Sequence, residues 1–585
     1  MLKTLIKQIK EYKKASIATP LFMLGEVLME TIVPLLMAKI IDNGVNVEGG
    51  DIGYICKIGL LMIVAAVIGL FTGLMGGRYG AYASAGIAKN LRKAMYYNIQ
   101  NFSFSNIDKY NTAGLVTRMT TDVTNVQNAY MMLLRMGTRA PASLICAMAA
   151  AFFINARVAT VYLIAVIVLG AILALIIRFA NKYFNLVFEK YDELNASVQE
   201  NVSAIRVVKA YVREEYETNK FAQASAKVYN MFVKAESVLA FNMPAMMVTL
   251  YTCILLISWL GAHMIVSDTL TTGDLMSLLT YCMNILMSLM MLSMVFVMIS
   301  MSMASARRIS EVINETGTIR NPEHPVMEVP DGSIRFDHAY FRYKENAEDD
   351  VLKDINLDIA SGETIGIIGG TGSAKTSLVS LISRLYDVSQ GSVQVGGIDV
   401  RDYDMEVLRN QVAVVLQKNT LFSGTIYDNL RWGDQDATEE ECRRACELAC
   451  ADEFIERFPE KYDTYIEQGG SNVSGGQKQR LCIARALLKK PKILILDDST
   501  SAVDTATAAK IRRAFAEEIP DTTKIIIAQR VSSVQQADRI IVMNEGEIHG
   551  IGTHEELLQT DEIYREVYES QNGTGGDFDE QEGTR

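Results

Sequence analysis

No CxxC pair occurs among the 8 cysteines of this 585-residue sequence, which argues against both a zinc ribbon and a disulfide framework. A basic excess is missing too. Lys and Arg number 56 against 68 Asp and Glu, for a formal net charge of −12. Nucleic acid is thereby excluded as the main partner, because phosphate binding needs a basic face. Histidine is scarce, with only His263, His324, His338, His549 and His554. The N-terminus lacks the short apolar core and small-residue cleavage site of a signal peptide. Cys442, Cys446 and Cys450 recur every fourth residue, which aligns them on one helix face as packed thiols rather than metal ligands.

What is present divides the chain in two. Before about residue 306 there are long uncharged stretches; after about residue 330 the pattern is that of a soluble α/β protein. Runs at about 16–41, 58–75, 128–155, 158–177, 240–266 and 275–306 predict six helices able to cross a ~30 Å hydrocarbon core. The last run exceeds the bilayer and is expected to continue as helix beyond it. Lys and Arg crowd the N-terminus and the segments at 78–139 and 178–234, whereas the loops at 42–51 and 267–274 carry only acids. The positive-inside rule then puts both termini in the cytoplasm. Residues 1–15 open on LKTLIKQIKEYKK, apolar on one face and lysine-rich on the other, as in an interfacial helix.

Two features inside the spans have open readings. Glu26 and Glu30 lie one helical turn apart; they either attract a cationic substrate or pair with an arginine such as Arg139 or Arg178. Met283, Met287, Met290, Met294, Met298 and Met301 form a stripe, either packing or a deformable wall for apolar ligands.

The second half carries the chemistry. ETIGIIGGTGSAKTSLVSLISRLYD reads as strand, glycine-rich loop and helix, with Gly369, Gly370, Thr371, Gly372, Ser373, Ala374, Lys375, Thr376 and Ser377 forming a phosphate loop. Backbone N–H groups and the helix N-terminus bind phosphates there. Lys375 is expected to reach the β/γ-phosphates and Thr376 to ligate Mg²⁺. Ala374 replaces the usual glycine and fits if it keeps a helical φ. Residues 492–504, KILILDDSTSAVD, form an apolar run ending on Asp497 and Asp498, as in a strand delivering acids to a metal-nucleotide site.

Between these lie Gln417 in VAVVLQKNTLFSGTIYDNL and the segment NVSGGQKQR at 472–480; TTKIIIAQR, ending on Gln529 and Arg530, follows. In this order the motifs resemble the ATP-binding cassette (ABC) transporters, and the membrane half resembles their six-helix exporter type. The resemblance implies an all-α six-helix transmembrane domain (16–312), a linker (313–333) and an α/β P-loop ATPase cassette (334–570), with a disordered acidic tail (571–585). It implies ATP and Mg²⁺ as cofactors. Tyr343 would stack on adenine; Thr376, Gln417 and Asp497 would hold the metal. Ser474, Gly475, Gly476 and Gln477 would cap the γ-phosphate of ATP on a second subunit, with Asp504 at the dimer seam. Segments 106–123 and 197–217 look like the family's two cytoplasmic loops, whose coupling helices press on the cassettes.

Three departures from the family pattern fall together. Asp498 stands where the family has its catalytic Glu, Gln529 where it has its switch His, and Ala374 is the third. Positioned general-base catalysis contributes ~10²–10⁴-fold, so this site is expected to bind ATP and hydrolyse it poorly. The intact VSGGQ suits a partner half-transporter supplying the Glu and His. The expected role is half of a heterodimeric exporter in a bacterial inner membrane, moving a drug-like or lipid amphiphile, with membrane lipid and that hydrophobic small molecule as further partners. A slow homodimeric exporter and a non-transporting ATP-switched membrane subunit are the alternatives.

Overall fold

The computed structural model describes residues 1–110, 112–344, 347, 349–498 and 503–572. The chain forms two compact units, one of Met1–Asn101 with Asn111–Glu315 and one of Phe102–Tyr110 with Thr316 onward.

The first unit is helical. Six helical stretches are long and apolar enough to cross a membrane: Lys10–Val45, Ile52–Gln100, Thr112–Ile154, Ala156–Phe184, Glu214–Val266 and Thr272–Asn314. Polar residues in the connections start them. Asp51 Oδ1 accepts from the Tyr54 N–H at 2.9 Å, and Asn155 Oδ1 accepts from Arg157 and Val158 at 3.0 and 3.2 Å. Thr271 Oγ1 accepts from Asp274 at 3.0 Å. Each bond satisfies N–H groups that a helix start leaves unpaired. The second stretch is one helix of 49 residues, ~74 Å at ~1.5 Å per residue, so it far outruns a bilayer. At the base of the third, buried Asp122 accepts from Arg308 of the sixth through Nε at 2.7 Å.

The N-terminal helix is shorter than its amphipathic pattern suggests. It covers Leu2–Lys7, and a left-handed Lys10 precedes the helix Lys13–Ile40 that makes up most of the first spanning stretch. The methionine stripe lies outside this unit's own core: Met283, Met287, Met294 and Met301 are exposed. The short helix Ile205–Ala210 stands at the tip of the second loop.

The second unit is a mixed α/β domain. Its strands are β1 (Ile334–Phe341), β2 (Leu352–Ile359), β3 (Thr364–Gly369), β4 (Gln390–Val395), β5 (Ile398–Asp399), β6 (Val412–Val415), β7 (Gly424–Thr425), β8 (Tyr465–Ile466), β9 (Ile493–Asp497), β10 (Thr523–Ile527), β11 (Arg539–Asn544) and β12 (Glu547–Gly552). Six form one sheet in the order β12-β11-β3-β10-β9-β6. All its pairings are parallel except β11–β12. β9 and β10 are buried at every residue, Lys524 of β10 included, the continuous burial expected of a parallel sheet covered on both faces. A second, antiparallel sheet runs β2-β1-β4-β5.

The segment expected to be a linker is seated on this unit. Val329 is buried, and Val326 exchanges backbone hydrogen bonds with Asp402 and Asp404 at 2.8 and 3.0 Å. The last helix, Glu562–Asn572, takes in the first two residues of the expected tail; the rest of that tail lies outside the described residues. Cys442, Cys446 and Cys450 are buried, though only the first two belong to the helix Glu439–Leu448. Burial pushes all three thiols up.

Candidate functional site: the carboxyl ends of four parallel strands

Ligands of parallel α/β sheets bind beyond the carboxyl ends of the strands. Here β3 ends on Gly369, β9 on Asp497, β10 two residues before Gln529, and β6 two residues before Gln417. The register aligns Ile527 with both Ile367 and Asp497, so the phosphate loop with Ala374 and the other two departures, Asp498 and Gln529, converge.

The loop itself demands small residues. Gly369 has φ 157°, and a Cβ there would lie 2.2 Å from the Met543 carbonyl oxygen of β11. The helix Lys375–Ile382 follows directly. Lys375 Nζ donates to the Gly369 and Gly370 carbonyls at 3.0 and 2.8 Å and to Ser373 Oγ at 3.1 Å. Burial lowers the Lys375 pKa, against the pull of Asp497 and Asp498. Gly372 is open, with no atom within 4 Å of a built Cβ. Thr371 is exposed at the loop's crest.

One expectation is corrected. Ala374 does not keep a helical φ; it sits at φ 69°, ψ 21°, in the left-handed region where a Cβ costs roughly 1–2 kcal/mol. The reason is positional. Ala374 is the N-cap of the loop helix, where the chain turns from the loop into the first helical turn.

Thr376 Oγ1 donates to Asp497 Oδ2 at 2.9 Å. Asp497 is 2% exposed, and burial pushes its carboxyl up, opposed first by the Thr376 hydrogen bond. Hydroxyl and carboxylate oxygens are hard donors that suit Mg²⁺, which keeps waters and substrate phosphates for the rest of its shell. Gln417, exposed beyond β6, adds an amide oxygen. Among the described residues no cluster of three His, Cys, Asp or Glu forms a dedicated cage.

Asp498 has φ 48°, and its N–H donates to the Ile527 carbonyl at 3.0 Å. Its Oδ2 accepts from Gln529 Nε2 at 3.0 Å. The two substituted positions are thus bonded to each other. Gln479, buried on the helix Gly475–Leu488, donates to the Asp498 carbonyl at 3.5 Å.

Tyr343 is 45% exposed. Its hydroxyl lies 2.9 Å from Ser377 Oγ, and its ring stands edge-on to Tyr386 at 5.2 Å. Tyr386 in turn donates to Asp108 Oδ2 at 2.6 Å and meets Phe104 at 6.0 Å. Both belong to the helix Phe104–Lys109, which packs with this unit.

Ser474 caps the helix Gly475–Leu488. Its Oγ accepts from Gln477 N at 3.3 Å, and Gln477 Oε1 accepts from Ser474 N at 2.9 Å. Ser474 and Gly475 are exposed, and Gly476 is half-buried. Among the described residues none of them is bonded to Lys375, Thr376 or Asp497. Asp504 caps the helix Thr505–Glu518, accepting from Thr507 N at 2.9 Å; that backbone bond holds its carboxyl below the usual range. Its neighbours Ser501 and Ala502 in the SAVD motif lie outside the described residues.

Sequence reasoning missed Tyr386, Gln479 and Gln571. Gln571 Nε2 donates to the Gln529 carbonyl at 2.8 Å, and its Oε1 accepts from Val531 N at 2.8 Å. The sequence places Gln571 in a disordered tail, although the apolar spacing Ile563, Val567 just before it signals a helix with a packed face.

Comparison with known proteins agrees with the geometry. Residues 17–290 match the ABC transporter transmembrane region, and residues 352–501 match the ABC transporter domain. The chain is 36% identical to the ABC transporter ATP-binding protein YfiB of Bacillus subtilis (strain 168) over 97% of this chain and 98% of that protein. It is 33% identical to the ATP-dependent lipid A-core flippase of Desulfotalea psychrophila, over 83% and 84%. A bacterial Atm1-family ABC exporter with ATP bound shares the fold, with a TM-score of 0.84 at 23% identity, covering 96% of this chain and all of that one. This chain, an integral membrane protein with six spans and a nucleotide-binding domain of the exporter-type fold, belongs to the ABC transporter family.

Proposed function

We propose that the chain is one subunit of a heterodimeric exporter whose own nucleotide site binds ATP and turns it over poorly. The observation that carries this reading is the 3.0 Å bond from Gln529 Nε2 to Asp498 Oδ2. A carboxylate that accepts from an amide is held away from an attacking water, and this one is a methylene shorter than Glu. Releasing it costs about 1.5 kcal/mol, the lower end for a charged acceptor because Gln529 is exposed. Gln529 cannot carry a proton, so it does not make up for the shorter reach of Asp498 as a general base.

Binding is a separate matter. The loop amides, Lys375 and the Tyr343 platform suit ATP, and Thr376 and Asp497 would hold Mg²⁺, which would offset the negative charge of the phosphates. Lys375 then exchanges neutral carbonyl partners for phosphate oxygens, a stronger charge-assisted bond. The exposed Ser474 and Gly475, with the half-buried Gly476 and Gln477, suit the nucleotide of a partner that carries Glu and His. On this reading residues 1–15 lie along the inner leaflet, 16–312 span, 313–333 lead to the cassette at 334–570, and both termini are cytoplasmic in a bacterial inner membrane. The cargo class is a drug-like or lipid amphiphile.

The test is nucleotide retention. The purified chain in lipid, incubated with Mg²⁺ and labelled ATP and then desalted, should hold nucleotide mainly as ATP. Retention mainly as ADP would favour a slow homodimer, and no retention would remove the ATP-binding claim.

A further inference from the structure

β10 ends at Ile527, and a 3₁₀ turn begins at Val531. Gln529 lies in the gap, where the chain has left the sheet and has not yet entered the turn. On the near side the Ala528 N–H still donates to the Ile367 carbonyl of β3 at 3.2 Å, and on the far side the Arg530 carbonyl accepts from Ser533 N at 3.1 Å. Among the described residues, every other backbone hydrogen bond from Gln529 N to Val531 N goes to one side chain, that of Gln571. Its Nε2 donates to the Gln529 carbonyl and its Oε1 accepts from Val531 N, both at 2.8 Å. A side-chain amide carries a donor and an acceptor side by side, so it takes the carbonyl of one residue and the N–H of the next but one, as an added strand would.

Gln571 has a fixed base from which to do this. Its helix, Glu562–Asn572, is anchored a little earlier in the chain. Tyr564 is fully buried, its N–H donates to Asp561 Oδ1 at 2.8 Å, and its hydroxyl lies 2.8 Å from His554 Nδ1. Arg565 donates to the Leu558 and Gln559 carbonyls at 2.8 and 2.9 Å. Ile563, Val567 and Tyr568 pack against the core of the cassette unit. Gln571 follows Tyr564 by seven residues, two helical turns or ~10.5 Å, on the same face. The helix therefore delivers the amide to the strand end with little freedom of its own.

We infer that Gln571 is a positioning residue of the nucleotide site: by clamping the backbone at Gln529 and Val531 it aims the Gln529 side chain. In this structure that side chain meets Asp498 Oδ2, and it stands at the position expected to meet the terminal phosphate of ATP. The loop amides, Lys375 and Tyr343 serve the parts that ATP and ADP share. The clamp thus acts on what tells the two nucleotides apart. The inference rests on the reading that this site binds ATP and is indifferent to how fast it turns ATP over.

The test is a double-mutant cycle on binding. The full chain in lipid is titrated, with Mg²⁺ present, with ADP and with the β,γ-imido analogue of ATP, which resists hydrolysis. Gln529→Ala should lower the preference for the triphosphate by about tenfold, one hydrogen bond to a charged acceptor. Gln571→Met keeps side-chain length and helix propensity. It should lower the preference by about fivefold, two neutral bonds at the low end of their range because Gln571 is exposed, and leave ADP affinity unchanged. In the Gln529→Ala background it should change nothing further. An unchanged preference in either single variant, an equal loss for both nucleotides in Gln571→Met, or full additivity in the double variant would each overturn the positioning role. Failure of the wild-type chain to bind either nucleotide would instead remove the ATP-binding reading and the role with it.

Discussion

Ala374 concentrates a local conflict between sequence and backbone. Its left-handed φ of 69° is tolerable for glycine and strained for alanine. Ala374→Gly relieves that strain but adds unfolded-state freedom worth ≈ 0.4–1 kcal/mol, so a net gain of about 0.5–1 kcal/mol is expected. Calorimetry of the cassette transition should show it as a rise of about 1–3 °C; a fall would mean that the Ala374 methyl's packing outweighs the strain. His338 gives a pH-dependent counterpart. Its ring nitrogen lies 2.6 Å from Asp354 Oδ1, a bond that raises the His338 pKa from 6.5 and lowers that of Asp354 from 3.8. The histidine's contribution is complete below 6.5 and is lost as pH rises through its raised value; the aspartate's is complete above 3.8 and is lost as pH falls through its lowered one. His338→Gln should therefore lower Tm most near pH ~5 and hardly at all above pH ~8, and a pH-independent difference would remove the ion-pair account.

At the scale of elements, the helix Phe104–Lys109 is held to the cassette unit through Tyr386. Burial, then Asp108, push the Tyr386 hydroxyl up, so it stays protonated and donates at all physiological pH. The same ring abuts Tyr343, linking the expected adenine platform to the helix Phe104–Lys109. Tyr386→Phe keeps the ring and deletes the bond, worth about 1.5 kcal/mol for an exposed charged acceptor. Hydrogen exchange in 102–110 should quicken by about tenfold while the phosphate loop is unchanged; equal exchange in both proteins would show that the helix is held by its ring contacts. This link was not legible in the sequence, because Tyr386 and Asp108 are 278 residues apart and carry no local signature. The spans were legible, since an uninterrupted apolar run of ~20 residues is long enough as a helix to cross the hydrocarbon core. So was the phosphate loop, whose backbone requirements restrict residue type at fixed spacing. The φ at Ala374 was not, because the turn into the helix sets it, and the Asp498–Gln529 bond needed the β9–β10 register.

At the scale of the whole molecule, the account rests on an asymmetry. One face of the cassette gathers Lys375, Thr376, Asp497 and a mutually bonded Asp498–Gln529 pair, while the VSGGQ segment presents an intact capped helix start elsewhere. ABC exporters function as dimers, and on the proposed reading the second subunit supplies the stronger site. Hydrolysis at that partner would reset a transport cycle driven by differential ATP binding to two states. The most direct measurement is steady-state ATP hydrolysis by this chain alone in lipid, repeated with Asp498→Glu plus Gln529→His. The account predicts a rate near background that rises by ~10²-fold or more in the double variant, the lower range of a restored general base. A robust wild-type rate, or a double variant no faster than wild type, would contradict it.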